Sequence, residues 1–351
     1  MERSREEEEV RSIAEQFASA PDAAWQRFLD LGRWPLRHRV EAMVKASNED
    51  ARTSPKGRLP PYEAFLQRYR HHLQAYIRPD FYTRSAVKYR EIYEQNGEIN
   101  VPLLREDCLS ELAAFGGEVE RLGKHRYGEP RPTYPPGEVL EMAELDPRKR
   151  LQTGVNMTAV PSRHLPADSP IQFVYHSPHL REFLTGVMGC EALFPYFSDL
   201  GLAINVMRAR PDSRTALGFH FDSIDSSNRG GGGGGASVQP KGVTGVIGIS
   251  DADEGGERIT FPDVSRAQVP QVSQILNSYD PLCPAEKISG AVPTVFREPT
   301  RGVLYLFDGG NVLHGVSAVR KGSRIAAVFL FKEEPPMETA ASKAGANFFY
   351  G

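Results

Sequence analysis

Gly218-Phe219-His220-Phe221-Asp222, followed far downstream by Leu313-His314-Gly315 and then Arg324, is the pattern from which the rest of this 351-residue chain is read. In an extended strand, side chains two positions apart share a face. His220 and Asp222 therefore project together, while Phe219 and Phe221 turn the other way into packing. A His-x-Asp pair completed by one distant His is the two-histidine, one-carboxylate set that holds a non-haem Fe(II) and leaves coordination positions open. The turn Asp308-Gly309-Gly310 lies where the chain must reverse to bring that third ligand, His314, back across the fold.

A bare His-x-Asp arises often by accident, and the chain has nine histidines, of which His71, His72 and His125 read as surface or locally packed. Arg324 adds the weight. It follows Val316, Val319 and Gly322 and opens the apolar run Ile325 to Phe331. A guanidinium entering such a strand is costly to bury unless it meets an anion, and its planar fork suits a carboxylate.

Around these residues the chain reads as short strands separated by turn residues: Leu202 to Met207, Leu217 to Phe221, Val243 to Ile249, Arg258 to Phe261, Val303 to Phe307 and Arg324 to Phe331. That pattern predicts a sandwich or barrel. The N-terminal part is different. Ile13, Phe17, Trp25, Phe28 and Leu29, then Phe65, Tyr69, Leu73 and Tyr76, recur at helical spacing, with Pro60-Pro61 at the entry of the second group. The stripes read as packing faces. Residues 121–150, rich in Pro, Gly and charge, read as an extended connection, with a short strand near Leu151 and a helix over Pro178 to Met188. The expected plan is a mainly β core with helical support: residues 1–150 a mostly helical region packed on the core, and 151–351 the core itself.

Immediately after the Asp222 strand stand six consecutive glycines, Gly230 to Gly235. Such a run has the most backbone entropy to lose and reads as a flexible loop, artificial or natural, placed to act as a lid.

Composition narrows the class of function. With 40% hydrophobic residues the chain can bury a substantial core, and a net charge of −3 supplies no basic field for a nucleic-acid backbone. Cys108, Cys190 and Cys283 are scattered, with no C-x-x-C pair, which suits a reducing compartment. The acid-rich start, Met1 to Glu9, is unlike a targeting segment, and the longest apolar run is too short to span a bilayer. The expectation is a cytoplasmic protein with a small-molecule partner and neither nucleic acid nor membrane.

Taken in order, His220-x-Asp222, Gly255-Gly256-Glu257-x-x-x-Phe261-Pro262, Gly302 to Gly309, and His314-x-Val316-x-x-Val319-x-x-Gly322-x-Arg324 resemble the Fe(II)/2-oxoglutarate-dependent dioxygenase superfamily. The resemblance covers roughly Leu202 to Lys332. It implies a double-stranded β-helix, a cupin-like jelly roll, with Fe(II) on His220, Asp222 and His314. It also implies 2-oxoglutarate chelating the metal while Arg324 holds its distal carboxylate, and O2 consumed as 2-oxoglutarate is decarboxylated to succinate and a substrate C–H is cleaved. Halogenases of the superfamily lack the carboxylate that Asp222 supplies, so hydroxylation, desaturation or oxidative cyclisation is expected instead.

Substrate candidates are Arg208, Asn205, Asp225 and Val328, with Arg210 and Arg214 as lesser cationic neighbours; Arg208 would hold a substrate carboxylate and Asp225 an ammonium. If Arg324 points inward, Ala326 and Val328 share its face, and Ile325, Ala327 and Phe329 pack outward. The runs Leu304 to Gly309 and Ala326 to Phe329 are loosely similar to members that oxidise free amino acids, which makes a small amino acid or its derivative the expected substrate. Two alternatives stand beside this: a cupin-like metal-binding module without activity, and a dioxygenase acting on a protein side chain.

Overall fold

The computed structural model describes residues 2–50, 60–126, 131–132, 152–153, 156–196, 201–210, 215–222, 242–261, 264, 295–297 and 300–333. Its helices are α1 Glu2–Gln16, α2 Pro21–Asp30, α3 Trp34–Asp50, α4 Pro61–His72, α5 Ala86–Asn96, α6 Leu109–Val119, α7 Pro170–Tyr175 and α8 Pro178–Met188. Strands run from β1 Glu98–Pro102, β2 Lys124–Arg126, β3 Arg131–Pro132, β4 Gln152–Thr153, β5 Met157–Pro161 and β6 Phe194–Pro195 through β7 Leu202–Arg208, β8 Thr215–His220 and β9 Gly242–Ser250. They continue with β10 Glu254–Gly255, β11 Arg258–Phe261, β12 Val295–Arg297, β13 Val303–Phe307, β14 Leu313–Ser317, β15 Val319–Lys321 and β16 Ser323–Lys332. Asp225, Arg214 and the Gly230–Gly235 run lie outside the described residues. None of the described helices is long and apolar enough to cross a membrane.

The chain forms two compact units, one of residues 1–79 with 166–180 and the other of 80–165 with 181–351. The first therefore draws on both sides of residue 150, and the second begins well before it.

The first unit is helical and is built on the aromatic stripes. Phe17, Trp25, Phe28, Phe65 and Tyr69 are buried and meet ring to ring, as in the edge-on Phe17–Phe65 pair with centroids 5.3 Å apart. At its centre Arg37 is 1% exposed. Its guanidinium donates to the carbonyls of Phe28 (3.2 Å), Leu29 (2.5 Å) and Ala167 (2.7 Å). Two of those carbonyls end α2, where a helix leaves acceptors without intrahelical partners. Trp34 and Phe173 cover the guanidinium at 4.8 and 5.0 Å. A buried cation is thus tolerated through hydrogen bonding, and burial still lowers the pKa of Arg37 from its ordinary value.

The second unit holds the sheets. Eight strands form the larger one, in the order β1-β13-β9-β16-β7-β5-β2, with β6 pairing β16; a four-stranded sheet runs β12-β11-β14-β8. The named pairs in both are antiparallel. The core strands expected from the sequence all form, with ends moved by a few residues. β1 was not anticipated. Its five residues carry the alternation of an edge strand inside a region otherwise helical in character, and only pairing with β13 makes that alternation meaningful.

Alternation assigns the faces of the large sheet. Ile325, Ala327 and Phe329 of β16 are fully buried on one face, and a Cβ on Gly116 of α6 would stand 2.9 Å from Ile325, so α6 covers this side closely. On the opposite face the register places Arg324 beside Met207, Ala326 beside Asn205, and Val328 beside Ala203 and Val246. The same face continues through Thr244 to Phe307 and through Val246 to Tyr305. Met207 clusters with Met157, Ala159, Ala216, Val316 and Val319. Ala216 and Val316 belong to β8 and β14 of the smaller sheet, so this inner face looks towards the strands that carry His220 and His314.

Candidate metal and anion site

β8 and β14 pair with His220 opposite His314, and the two imidazoles lie 4.3 Å apart between centroids. Asp222, just past β8, completes the group. One ligand atom from each of the three residues lies within 4.8 Å of the others.

Each imidazole has its inner nitrogen occupied. His220 Nδ1 bonds the Gly218 carbonyl at 2.8 Å, and His314 Nδ1 bonds the Val312 carbonyl at 2.9 Å. A carbonyl only accepts, so Nδ1 carries the proton and Nε2 offers a lone pair. Those Nε2 atoms stand 3.4 Å (His220) and 3.6 Å (His314) from Asp222 Oδ1. Asp222 is oriented from behind. Its Oδ2 accepts the Thr244 hydroxyl at 2.5 Å, and its backbone N–H donates to the Gly309 carbonyl at 2.8 Å. Gly309 must be glycine here, because a Cβ would lie 2.0 Å from Asp222 Oδ2 and 2.3 Å from Thr244 Oγ1.

The electrostatics fit a cation. Burial works against ionisation of Asp222, yet the neighbouring His314 and His220 hold its carboxyl well below the usual range. Burial also pulls the pKa of His314 down, against the opposing pull of Asp222. Positive charge is therefore favoured at this point and disfavoured on the ring itself. A divalent ion bound by Nε2, Nε2 and Oδ1 satisfies both requirements, and the donor set of two imidazoles and one carboxylate is one that Fe(II) accepts.

Arg324 lies on the inner face of the large sheet and is 4% exposed. One guanidinium nitrogen rests 3.4 Å from the Met207 sulfur, and Nε has no hydrogen-bond partner among the described residues. Burial pulls its pKa down to about 10, against the opposing pull of Asp251 and Glu257. Gly256 makes room for it: the residue has φ +78°, and a Cβ there would stand 3.1 Å from Arg324 Cδ. A buried guanidinium whose Nε–H lacks a partner among the described residues has donor capacity left for an anion.

The other expected residues divide. Asn205 is on the inner face, 6% exposed, with Oδ1 lacking a partner among the described residues; Val328 shares that face and is only half-buried. Arg208 is turned away: alternation along β7 puts it opposite to Asn205 and Met207, where it forms an ion pair with Glu120 (Nε to Oε1 2.9 Å) and serves that carboxylate instead of a ligand. Three residues that matter here carried little signal. Thr244 looked like any strand residue, Gly309 like part of a turn, and Arg258 like one position of a strand. Each acquires its place only through partners distant in the chain.

No family profile matches the chain, and no curated protein matches it. Among solved structures it is similar to the non-heme alpha-ketoglutarate-dependent epimerase SnoN from nogalamycin biosynthesis, at 14% identity over 70% of this chain and 81% of that one, with TM-score 0.44. The carbocyclase SnoK from the same biosynthesis matches at 14% identity over 71% and 86%, with TM-score 0.43. A 2OG-Fe(II) oxygenase family oxidoreductase from Burkholderia pseudomallei matches at 15% identity over 72% and 91%, with TM-score 0.40.

Proposed function

We propose that the chain is an Fe(II)- and 2-oxoglutarate-dependent oxygenase acting on a C–H bond of a small metabolite, an amino acid or a derivative of one, and that its two facing sheets are the halves of a double-stranded β-helix. The observation that carries this reading is the coexistence, on facing sheets, of a convergent His220, Asp222 and His314 and a buried, partly unpartnered Arg324.

His220, Asp222 and His314 would hold Fe(II) on one side and leave the other to ligands. Bound there, the metal with 2-oxoglutarate and O2 supplies the oxidising power for C–H cleavage, releasing succinate and CO2. The protein's own residues do the positioning. The Gly218 and Val312 carbonyls lock the imidazole tautomers, Thr244 holds one oxygen of Asp222 back, and Arg324 anchors the far carboxylate of 2-oxoglutarate as a charge-assisted pair in a dry interior. Val328 and Asn205 line the same face for co-substrate or substrate. A purely metal-holding module has no use for Arg324.

Anaerobic titration with Fe(II) and then 2-oxoglutarate tests the centre directly, because chelation of the metal by the keto acid produces a charge-transfer absorption band. No band from intact, Fe(II)-loaded protein would sink the oxygenase reading. Succinate release over a panel of amino acids then tests the substrate class, and stimulation by none of them would remove amino acids from it.

A further inference from the structure

Arg258, which the metal and the 2-oxoglutarate carboxylate leave unassigned, comes from β11 of the smaller sheet and is 8% exposed. Its register neighbours fix where it faces. Thr260 lies opposite His314 and Arg258 opposite Val316, so Arg258 projects to the side of the metal ligand. Its guanidinium lies over the ring of Tyr305 and 5.8 Å from the centroid of Phe307. Phe307 in turn packs edge-on against His314 at 4.8 Å. The Tyr305 hydroxyl donates to the carboxylate of Glu98 on β1. A cation over the ring and an anion at its hydroxyl therefore flank one aromatic side chain beside the metal site.

The Tyr305 end of this pair is set apart from Arg324, whereas Arg258 follows Gly256, the glycine that makes room for Arg324, by two residues. Tyr305 is level with Val246 and Val328, two strands over and four residues along from Arg324, which is roughly 15 Å at ordinary strand spacing and rise. Stacking uses the face of a guanidinium and directs its N–H fork into the plane, the geometry for two-point recognition of a carboxylate. A carboxylate and an ammonium on one carbon, each hydrogen-bonded to a partner of opposite charge, match a cation and an anion on either side of an aromatic ring.

We infer that Arg258, Tyr305 and Glu98 form the subsite for the head group of an α-amino acid substrate, Arg258 taking its carboxylate and Glu98 its ammonium, so that the side chain is presented to the metal. The inference rests on the oxygenase reading above and names its substrate class.

The test uses full-length protein loaded anaerobically with Fe(II) and 2-oxoglutarate, reading the change in the charge-transfer band on addition of the proteinogenic L-amino acids. For each binder, the methyl ester and the deaminated carboxylic acid are compared. The wild type is expected to bind at least one amino acid at least tenfold more tightly than its ester or its deaminated acid. Arg258→Met should abolish the preference over the ester, Arg258→Lys should restore part of it, and both should leave 2-oxoglutarate affinity within about twofold. Glu98→Gln, which keeps an acceptor for Tyr305, should abolish the preference over the deaminated acid.

Equal binding of acid and ester by the wild type overturns the subsite, as does loss of 2-oxoglutarate affinity in Arg258→Met. So does failure of every amino acid to perturb an intact band. In that last case the band itself shows that the metal and keto-acid reading survives. Should Arg258→Met not fold, the wild-type comparisons and the Glu98→Gln arm decide the matter.

Discussion

Arg324→Met separates the cost of an anchor from its use. In the absence of co-substrate the guanidinium is buried, one nitrogen lies 3.4 Å from a thioether, and burial pulls the pKa down from its ordinary value to about 10. The folded state thus disfavours the charged form relative to the unfolded chain. Below about pH 10 both states are charged, so the full cost is present at neutral pH and fades only as pH rises through about 10 towards the ordinary arginine value. At about 1.4 kcal/mol per pKa unit, the cost is about 3 kcal/mol. Methionine fills much of the same volume next to Met207 without a charge. The variant should therefore be more stable than the wild type by about 1–3 kcal/mol in the absence of co-substrate, as replacements of buried charge often are. With redox-silent Ni(II) in the site, 2-oxoglutarate at 100 times its Kd should stabilise the wild type by about 2.7 kcal/mol and the variant hardly at all. Urea unfolding with and without 2-oxoglutarate measures both quantities. If the variant is less stable than the wild type without co-substrate and is still stabilised by it, Arg324 is a structural residue and the anchor assignment fails.

Three further outcomes are expected. Thr244→Val removes a charge-assisted bond to Asp222 Oδ2 worth about 1.5–3 kcal/mol, and should weaken Fe(II) affinity roughly 10- to 100-fold in an anaerobic titration; Gly309→Ala, which forces a methyl against the same oxygen, should do so too, and wild-type affinity in both variants would contradict the orienting role. Arg208→Ala should leave Fe(II) and 2-oxoglutarate affinities unchanged, because its partner is Glu120, and a tenfold change in either would return Arg208 to the site. Arg37→Met strips three buried carbonyls of their donor and should destabilise the helical unit by about 3 kcal/mol or more, measured by thermal unfolding, with no change in metal affinity in protein that remains folded.

The local part of this protein was legible in its residue order. Short apolar runs bounded by turn residues mark β7, β9, β13 and β16, because a strand with one face against α6 and the other towards the second sheet is buried on both, while successive side chains alternate between the two faces. The same alternation put His220 with Asp222 and Arg324 with Val328. Helical stripes in Phe17, Trp25, Phe65 and Tyr69 marked the helical unit as plainly. What stayed hidden was everything that depends on two distant segments meeting. Arg208 and Asn205 are three residues apart on one strand, so the pleat puts them on opposite faces, but only the pairing of β7 with β16 and the presence of Glu120 decide which of those faces is the inner one. Thr244 becomes a partner of Asp222, Gly309 a space kept for its carboxylate, and Glu98 a neighbour of Tyr305 only when β9, β13 and β1 close on one another. Residue order alone put the candidate ligands His220 and Asp222 on one side of the chain, since that follows from the pleat of a single strand. Tertiary structure decided which polar residues face the ligands and which are spent on the scaffold, since that choice is made by strand register and burial across the sheets.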